Sequence, residues 1–512
     1  MLERYVKKIL SSRVYDVAIE TPLQPARDLS RRTGCRVLLK REDLQPVFSF
    51  KVRGAYNKIA QLSEAEGARG IIAASAGNHA QGVALAAQRL NLKATVVMGR
   101  NTPSIKVNAV RELGAKVVLH GDGFDDAKAH ADVLMAKHGY TFIHPYDDVD
   151  VIAGQGTVGM EIMNQHGRPP AAIFVPVGGG GLIAGISAYV KYLSPATRII
   201  GVEAEGSACL AAAMQAGRRV TLPFETLDLF ADGVSVAQIG KETFKVARRC
   251  VDEVITVSTD EICAAIKDLF DDTRSIAEPA GALAVAGLKK YLQTERHWPA
   301  ADDGQAGGLV AVVSGANVNF DRLRHISERA EVGEQREVIL GVSIPEHPGS
   351  FRRFCQALGK RSVTEFNYRH ADADEAHVYV GLQVAAPGDR GAVVTALQQA
   401  GYGVEDMTDN EAAKLHVRHM VGGRSNGDKR ELLYRFEFPE RPGALLRFLA
   451  GLGFEWNITM FHYRNHGAAW GRVLVGFEAT AADQARLTGD LRRIGYRFWE
   501  ETENRAYQLF LR

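Results

Sequence analysis

Four short segments carry residue types that could do chemistry together. Lys51 stands between Phe50 and Val52 in the run Ser49-Phe50-Lys51-Val52-Arg53-Gly54-Ala55. A solvated lysine is charged and a poor nucleophile. An amine held against an aromatic ring loses solvation, favours its neutral form and can make a Schiff base. Ser75-Ala76-Gly77-Asn78-His79 joins the apolar run Ile71–Ala74 to a helical pattern over 80–90. Small residues before a helix let backbone N–H groups face an anion, although the same loop would serve as an ordinary N-cap. Val177-Gly178-Gly179-Gly180-Gly181-Leu182 lies between a buried strand pattern and a helix. Four glycines cost conformational entropy, so they point to close approach of a ligand, with a phosphate nest as the natural candidate. Ser314-Gly315-Ala316-Asn317 ends the last apolar run of the first half. Its serine hydroxyl is placed either to meet a ring nitrogen or to close a turn.

These segments must be held by a scaffold, and the chain of 512 residues is long enough for two to four domains. From about residue 20 to 325, β-branched runs (94–98, 116–120, 172–177, 198–203, 252–257, 309–314) alternate with alanine-rich helical patterns. That alternation predicts an α/β fold with a parallel sheet, whose ligands bind at the carboxyl ends of the strands. Three of the four segments follow such strands. The charged stretch 328–336 reads as a linker.

Beyond it the sequence repeats itself. Val342-Ser-Ile-Pro345-Glu-His-Pro348-Gly349 returns, with one residue of slack before the shared proline, as Arg435-Phe-Glu-Phe-Pro439-Glu-Arg-Pro442-Gly443, and Phe366-Asn-Tyr368-Arg369 returns as Phe461-His-Tyr463-Arg464. Two copies about 95 residues apart are too few for a solenoid; each reads as a small α+β module. Phe354, Phe366, Phe448 and Phe461 are expected in its core. The repeated tyrosine–arginine pairs Tyr368–Arg369 and Tyr463–Arg464 suit either a small zwitterion, its carboxylate gripped by arginine, or an exposed salt bridge.

Composition narrows the classes. Lysine and arginine total 62 against 60 acidic residues, 46% of residues are hydrophobic and 24% charged, so neither a nucleic-acid nor a membrane-surface footprint is expected. Five scattered cysteines, Cys35, Cys209, Cys250, Cys263 and Cys355, lack CxxC spacing; this predicts no disulfide framework, no metal site and a reducing compartment. The opening segment mixes both charges and reads as a surface helix. The uncharged stretch 171–190 contains Pro176 and the four glycines, which breaks it into strand, turn and helix. A cytoplasmic protein without membrane segments is expected.

A nicotinamide-binding reading competes. Residues 179–184 fit a relaxed dinucleotide fingerprint, with Glu203 near the end of the next strand. A second match at 154–159 follows a polar segment rather than a strand, and is discounted. A nicotinamide site has no need of a lysine in an aromatic setting, a terminal serine and an Asn-bearing anion loop. A pyridoxal phosphate site needs all of them.

With these motifs in order, the chain resembles the fold-type II (tryptophan synthase β-like) pyridoxal phosphate enzymes. Its duplicated C-terminal module resembles the paired ACT-like regulatory domains of biosynthetic threonine deaminases. The resemblance implies a catalytic domain over 1–327, with a smaller subdomain at about 50–145, and regulatory modules over 337–421 and 430–512. It implies that Lys51 carries the cofactor and moves the substrate's Cα proton. Phe50 would pack on the ring, Asn78 would bond its 3′ oxygen, and Gly178, Gly179, Gly180, Gly181 and Leu182 would hold the phosphate. Ser314 would meet the ring nitrogen, and Ser75, Ala76, Gly77, Asn78 and His79 would bind the substrate. The implied reaction converts L-threonine to 2-oxobutanoate and ammonia, with L-serine as a secondary substrate. Isoleucine would inhibit and valine oppose it through Tyr368, Arg369, Tyr463 and Arg464, in a homotetramer.

Serine racemases resemble the first loop but carry serine where Ala76 stands, so elimination without racemisation is expected. Glu203 matches one acid of those relatives' cation site, but Cys209 replaces the other. A cysteine-synthase-like β-replacement enzyme would share Lys51, Asn78 and Ser314 without needing the repeat. A non-catalytic amino-acid sensor would need the repeat but not Lys51.

Overall fold

The computed structural model describes the chain except residues 101, 122–123, 224–225, 294–306, 321, 348, 360, 370–374, 387, 411–412, 415–416, 420–430, 440–443, 453–454, 465–469, 481 and 505–512. It divides into two units, Met1–Ala330 and Glu331–Arg512.

The first unit holds two sheets. The larger runs in the order Leu23–Pro25, Val37–Arg41, Leu309–Val313, Ala172–Pro176, Arg198–Ala204, Glu253–Val257. Its neighbours pair in parallel except at the first edge. The smaller, fully parallel sheet runs Lys116–Leu119, Ala94–Met98, Ile71–Ala74, Thr141–Phe142. The central strands are apolar on both faces because helices cover both. Ala172–Pro176 and Leu309–Val313 are buried at every position. The stretch 171–190 is indeed broken, into the strand ending at Pro176 and the helix Gly181–Leu193. The opening segment is a surface helix over Leu2–Leu10 that exposes Glu3, Arg4 and Lys7 and buries Tyr5, Val6 and Ile9 on its inner face.

The helix Lys51–Ile59 packs against Asn78–Arg89 and Val149–His166. Glycines permit that closeness: a Cβ on Gly154 would lie 2.7 Å from the Gly54 Cα, and one on Gly82 would lie 3.2 Å from the Lys51 carbonyl carbon. Gly154, Gly156 and Gly159, the discounted fingerprint, thus sit inside a helix as packing residues.

In the second unit, eight strands form one sheet ordered Gly403–Asp406, Glu337–Pro345, Glu375–Gln383, Val363–Arg369, Asn457–Arg464, Trp470–Glu478, Glu431–Pro439, Arg497–Glu500. The first four belong to one repeat and the last four to the other. They join where Phe366 pairs with Tyr463 and Tyr368 with Phe461, in antiparallel register. Phe354, Phe366, Phe448 and Phe461 are fully buried in one core. The stretch read as a linker, 328–336, is helical as far as Gly333 and continues the helix Arg322–Gly333. Its charges serve the helix: Glu328 accepts from Arg324 one turn earlier.

Candidate active site

Three loops at strand carboxyl ends converge with the lysine segment on one cavity of about 440 Å³. Its lining includes Phe50, Lys51, Asn78, Gly178, Gly179, Gly180, Gly181, Leu182 and Ser314, all expected from sequence. It also includes Tyr146 and Glu278, which were not.

The lysine segment is sewn to the end of the strand Leu309–Val313. Phe50 N–H donates to the Ser314 carbonyl at 3.2 Å, and Ala316 N–H donates to the Phe48 carbonyl at 2.9 Å. Phe48 makes the turn with φ of 55°, a conformation that L side chains rarely adopt. Lys51 then begins its helix. Its Nζ donates to the Pro145 carbonyl at 3.0 Å and lies 5.3 Å from the centre of the Phe50 ring. Desolvation lowers its pKa to about 8, against an opposing pull from Glu278. This is an amine poised to become neutral near physiological pH, as a Schiff-base lysine must.

The glycines follow the strand Ala172–Pro176 and open the helix Gly181–Leu193, with Gly180 at φ 87°. Side chains would fill this cradle. A Cβ on Gly178 would lie 2.8 Å from Val234, one on Gly180 2.6 Å from Ile239, and one on Gly179 would collide with the Tyr146 ring. Thr243 Oγ1 holds the Gly179 carbonyl at 2.8 Å. Asp147 ties the Pro145–Tyr146 segment to the start of the helix Lys241–Cys250, which carries Thr243, by accepting from the N–H groups of Lys241, Glu242 and Thr243. A helix N-terminus with a side-chain-free loop suits a phosphate, so the residues present fit pyridoxal phosphate.

Ser314 is 3% exposed, and its Oγ donates to the Ala280 carbonyl at 3.3 Å. Asn78 Nδ2 donates to Glu278 at 2.5 Å, and Asn78 Oδ1 accepts from Asn317 at 2.7 Å. Burial raises the Glu278 pKa to about 7.

The 75–79 loop divides. Asn78 lines the cavity, whereas Ser75, Ala76, Gly77 and His79 are not among the lining residues. Ser75 Oγ accepts from Gly77 N–H at 3.3 Å. His79 bonds the Ile143 carbonyl at 2.8 Å, and burial lowers its pKa to about 3, so it is a neutral packing group here. Glu203 accepts the N–H groups of Leu210 and Ala211, both at 2.8 Å. Those bonds occupy its carboxylate inside the fold. No cluster of three potential metal ligands occurs among the described residues.

In the second unit, Tyr368 is 3% exposed and donates to Glu346 at 2.6 Å. It lines a cavity of about 420 Å³ with Phe351 and Arg352 from its own repeat, and with Leu449, Leu452 and Trp456 from the other. Tyr463 is buried at the seam beside that strand. The side chains of Arg369 and Arg464 lie outside the described residues.

Known proteins agree with both units. Residues 14–302 match the pyridoxal-phosphate dependent enzyme family, and residues 328–417 and 422–511 each match the C-terminal regulatory domain of threonine dehydratase. The biosynthetic L-threonine dehydratase IlvA of Burkholderia multivorans is 53% identical over 510 residues, covering 99% of both chains. That of Escherichia coli is 51% identical over 508 residues, covering 99% of this chain and 97% of its own. The solved structure of the processed form of threonine deaminase isoform 2 from Solanum lycopersicum superposes with a TM-score of 0.61 at 49% identity, over 64% of this chain and 93% of that one. Maize serine racemase follows the same fold with a TM-score of 0.58 at 30% identity, over 62% and 95%. No helix among the described residues is long and apolar enough to cross a membrane. The chain belongs to the pyridoxal-phosphate-dependent biosynthetic threonine dehydratases that carry a duplicated C-terminal regulatory domain.

Proposed function

We propose that this chain deaminates L-threonine to 2-oxobutanoate and ammonia, with pyridoxal phosphate held at Lys51 and isoleucine acting as inhibitor. The observation that carries the reading is the meeting of a desolvated amine, a four-glycine cradle and a buried serine hydroxyl in one cavity. The bound cofactor supplies an electron sink for the substrate's Cα–H bond.

The residues share the remaining work. Lys51 Nζ takes the Cα proton, its lowered basicity matching the task of a base near neutral pH. The glycine loop and the first turn of the helix Gly181–Leu193 anchor the phosphate with backbone N–H groups. Phe50 walls the cavity beside Lys51, and Asn78 offers an N–H to the ring oxygen. Ser75, Ala76 and Gly77 bind the substrate carboxylate. Ser314 would meet the ring nitrogen with a neutral hydroxyl rather than a charged acid, a setting that would suit loss of the β-hydroxyl over prolonged carbanion chemistry. Threonine loses water, and the released enamine becomes an imine that takes up water to give the keto acid and ammonia. Ala76 has no acid or base to reprotonate the opposite face, so racemisation does not compete. L-serine, lacking one methyl, is a secondary substrate, since a methyl is worth only about 1–3 kcal/mol of discrimination.

The cavity beside Tyr368 supports the regulatory half. Leu449, Leu452 and Phe351 suit a branched aliphatic side chain, and Arg352 suits a carboxylate. Valine opposes isoleucine in this reading. A cytoplasmic homotetramer completes it. The test is 2-oxobutanoate release from L-threonine with and without isoleucine. Release that isoleucine suppresses supports both halves. Release that isoleucine leaves unchanged removes the regulatory half, and no release from a protein that binds pyridoxal phosphate removes the catalytic half.

A further inference from the structure

Glu278 precedes the helix Pro279–Gln293 and lies against the cavity, 4% exposed. Its carboxylate takes part in a directed chain of amides. Asn317 Nδ2 donates to the Val47 carbonyl at 2.8 Å and to Asn78 Oδ1 at 2.7 Å. A backbone carbonyl only accepts, so the Asn317 atom facing it must be nitrogen. Asn78 must then present its oxygen to Asn317 and its nitrogen to Glu278, which accepts at 2.5 Å. Asn78 Nδ2 carries two hydrogens; Glu278 takes one, and the other remains for a ligand.

Space for this chain is built in. The Glu278 N–H donates to the Gly315 carbonyl at 3.1 Å, and any side chain on Gly315 would collide with the Glu278 carboxylate. The glycine of the Ser314-Gly315 pair therefore makes room for an acid that lies far away in sequence.

The geometry points to Glu278 as a positioning residue that, through Asn78, orients the donor facing the cofactor's ring oxygen and sets the charge beside it. The inference rests on the pyridoxal phosphate reading of the cavity. An ionised Glu278 places a negative charge one amide away from that oxygen and opposes negative charge on it. A neutral Glu278 does not. Burial brings this switch to about pH 7. The charged groups facing Glu278 are Lys51 from its helix, Asp232, Lys106 from the helix Ser104–Glu112 and Arg322 from the helix Arg322–Gly333. Lys106 and Arg322 are themselves engaged by Asp232, at 2.7 Å and 3.6 Å.

The visible absorption band of the pyridoxal-phosphate-loaded protein responds to whether the ring oxygen is protonated. In the wild type it is expected to change with pH around 7. Glu278→Gln keeps the size and the acceptor but cannot ionise. It should bind the cofactor, show a band that no longer changes across that range, and lose about tenfold in kcat at little cost in KM, the size of a one-unit electrostatic change. Glu278→Asp, which keeps the acid on a shorter arm, should titrate with a displaced midpoint. A wild-type band that does not titrate overturns the inference while leaving the cofactor reading in place. So does a Gln variant that titrates like the wild type, or an Asp variant with an unmoved midpoint. A wild-type protein that develops no band with pyridoxal phosphate overturns both.

Discussion

Arg53 and Glu161 meet at 2.5 Å, with neither side chain more than 2% exposed. Arg53 also bonds Glu42 at 2.7 Å, and Lys40 bonds Glu161 at 2.6 Å, so two cations and two anions close a fully buried set. Burial alone would push the Glu42 carboxyl up, but the Arg53 guanidinium wins and holds it below its usual range. Arg53 lies two residues after Lys51 on the same helix, so this set fixes the rotation of the helix that carries the reactive amine.

Removing one partner of a buried set leaves the others uncompensated. Arg53→Met is expected to destabilise the first unit by about 3–5 kcal/mol. Arg31→Ala, which breaks an exposed pair with Asp28, should change stability by less than about 0.5 kcal/mol. Denaturant midpoints of the two variants make the comparison, and equal midpoints would show that the buried set does not hold the helix.

Gly179→Ala drives a Cβ into the Tyr146 ring. Overpacking costs about 1–3 kcal/mol, and if that cost falls on the bound state it corresponds to a loss of about five- to 150-fold in pyridoxal phosphate affinity. A fluorescence titration with the cofactor checks this, and adding Tyr146→Ala should restore part of the affinity.

The lowered pKa of Lys51 has a defined sign. Below about pH 8 its amine is protonated in the folded apoprotein and cannot attack the cofactor aldehyde, whereas above it the amine is neutral. The rate of pyridoxal phosphate capture should rise with pH and level off above about 8. Between about 8 and 10.5 the unfolded chain binds the extra proton, so Lys51 makes apoprotein stability rise with pH across that window. Stopped-flow capture rates across this range test the sign; a rate independent of pH would contradict it.

Tyr368→Phe removes the hydroxyl that bonds Glu346 in the second unit's cavity. The isoleucine concentration giving half inhibition should rise about tenfold, within the usual range of allosteric coupling. Unchanged inhibition would place the effector elsewhere.

The sequence revealed the parts of the site that are local. Lys51, Asn78, the glycines and Ser314 each stand in a short segment whose composition is odd without a ligand, and the structure places all of them on one cavity. Glu278 and Tyr146 were not legible. An acid before the first proline of a helix reads as an ordinary cap, and an aromatic in a polar segment gives no sign that it will rest on glycines over thirty positions away. His79 was read with the substrate loop by adjacency, and a single step along the helix, a rotation of about 100°, turns its ring to the Ile143 carbonyl. In the second unit the repeat was plain, yet the pairing of Phe366 with Tyr463 was not. Periodicity fixes which face of a strand is buried, and leaves open which edge it joins.

The most direct test of the central assignment is borohydride reduction of the pyridoxal-phosphate-loaded protein, followed by peptide mass spectrometry. The reduced cofactor is expected on the peptide containing Lys51, with no label in Lys51→Ala. Label on another lysine, or none in a protein that still releases 2-oxobutanoate from L-threonine, would contradict it.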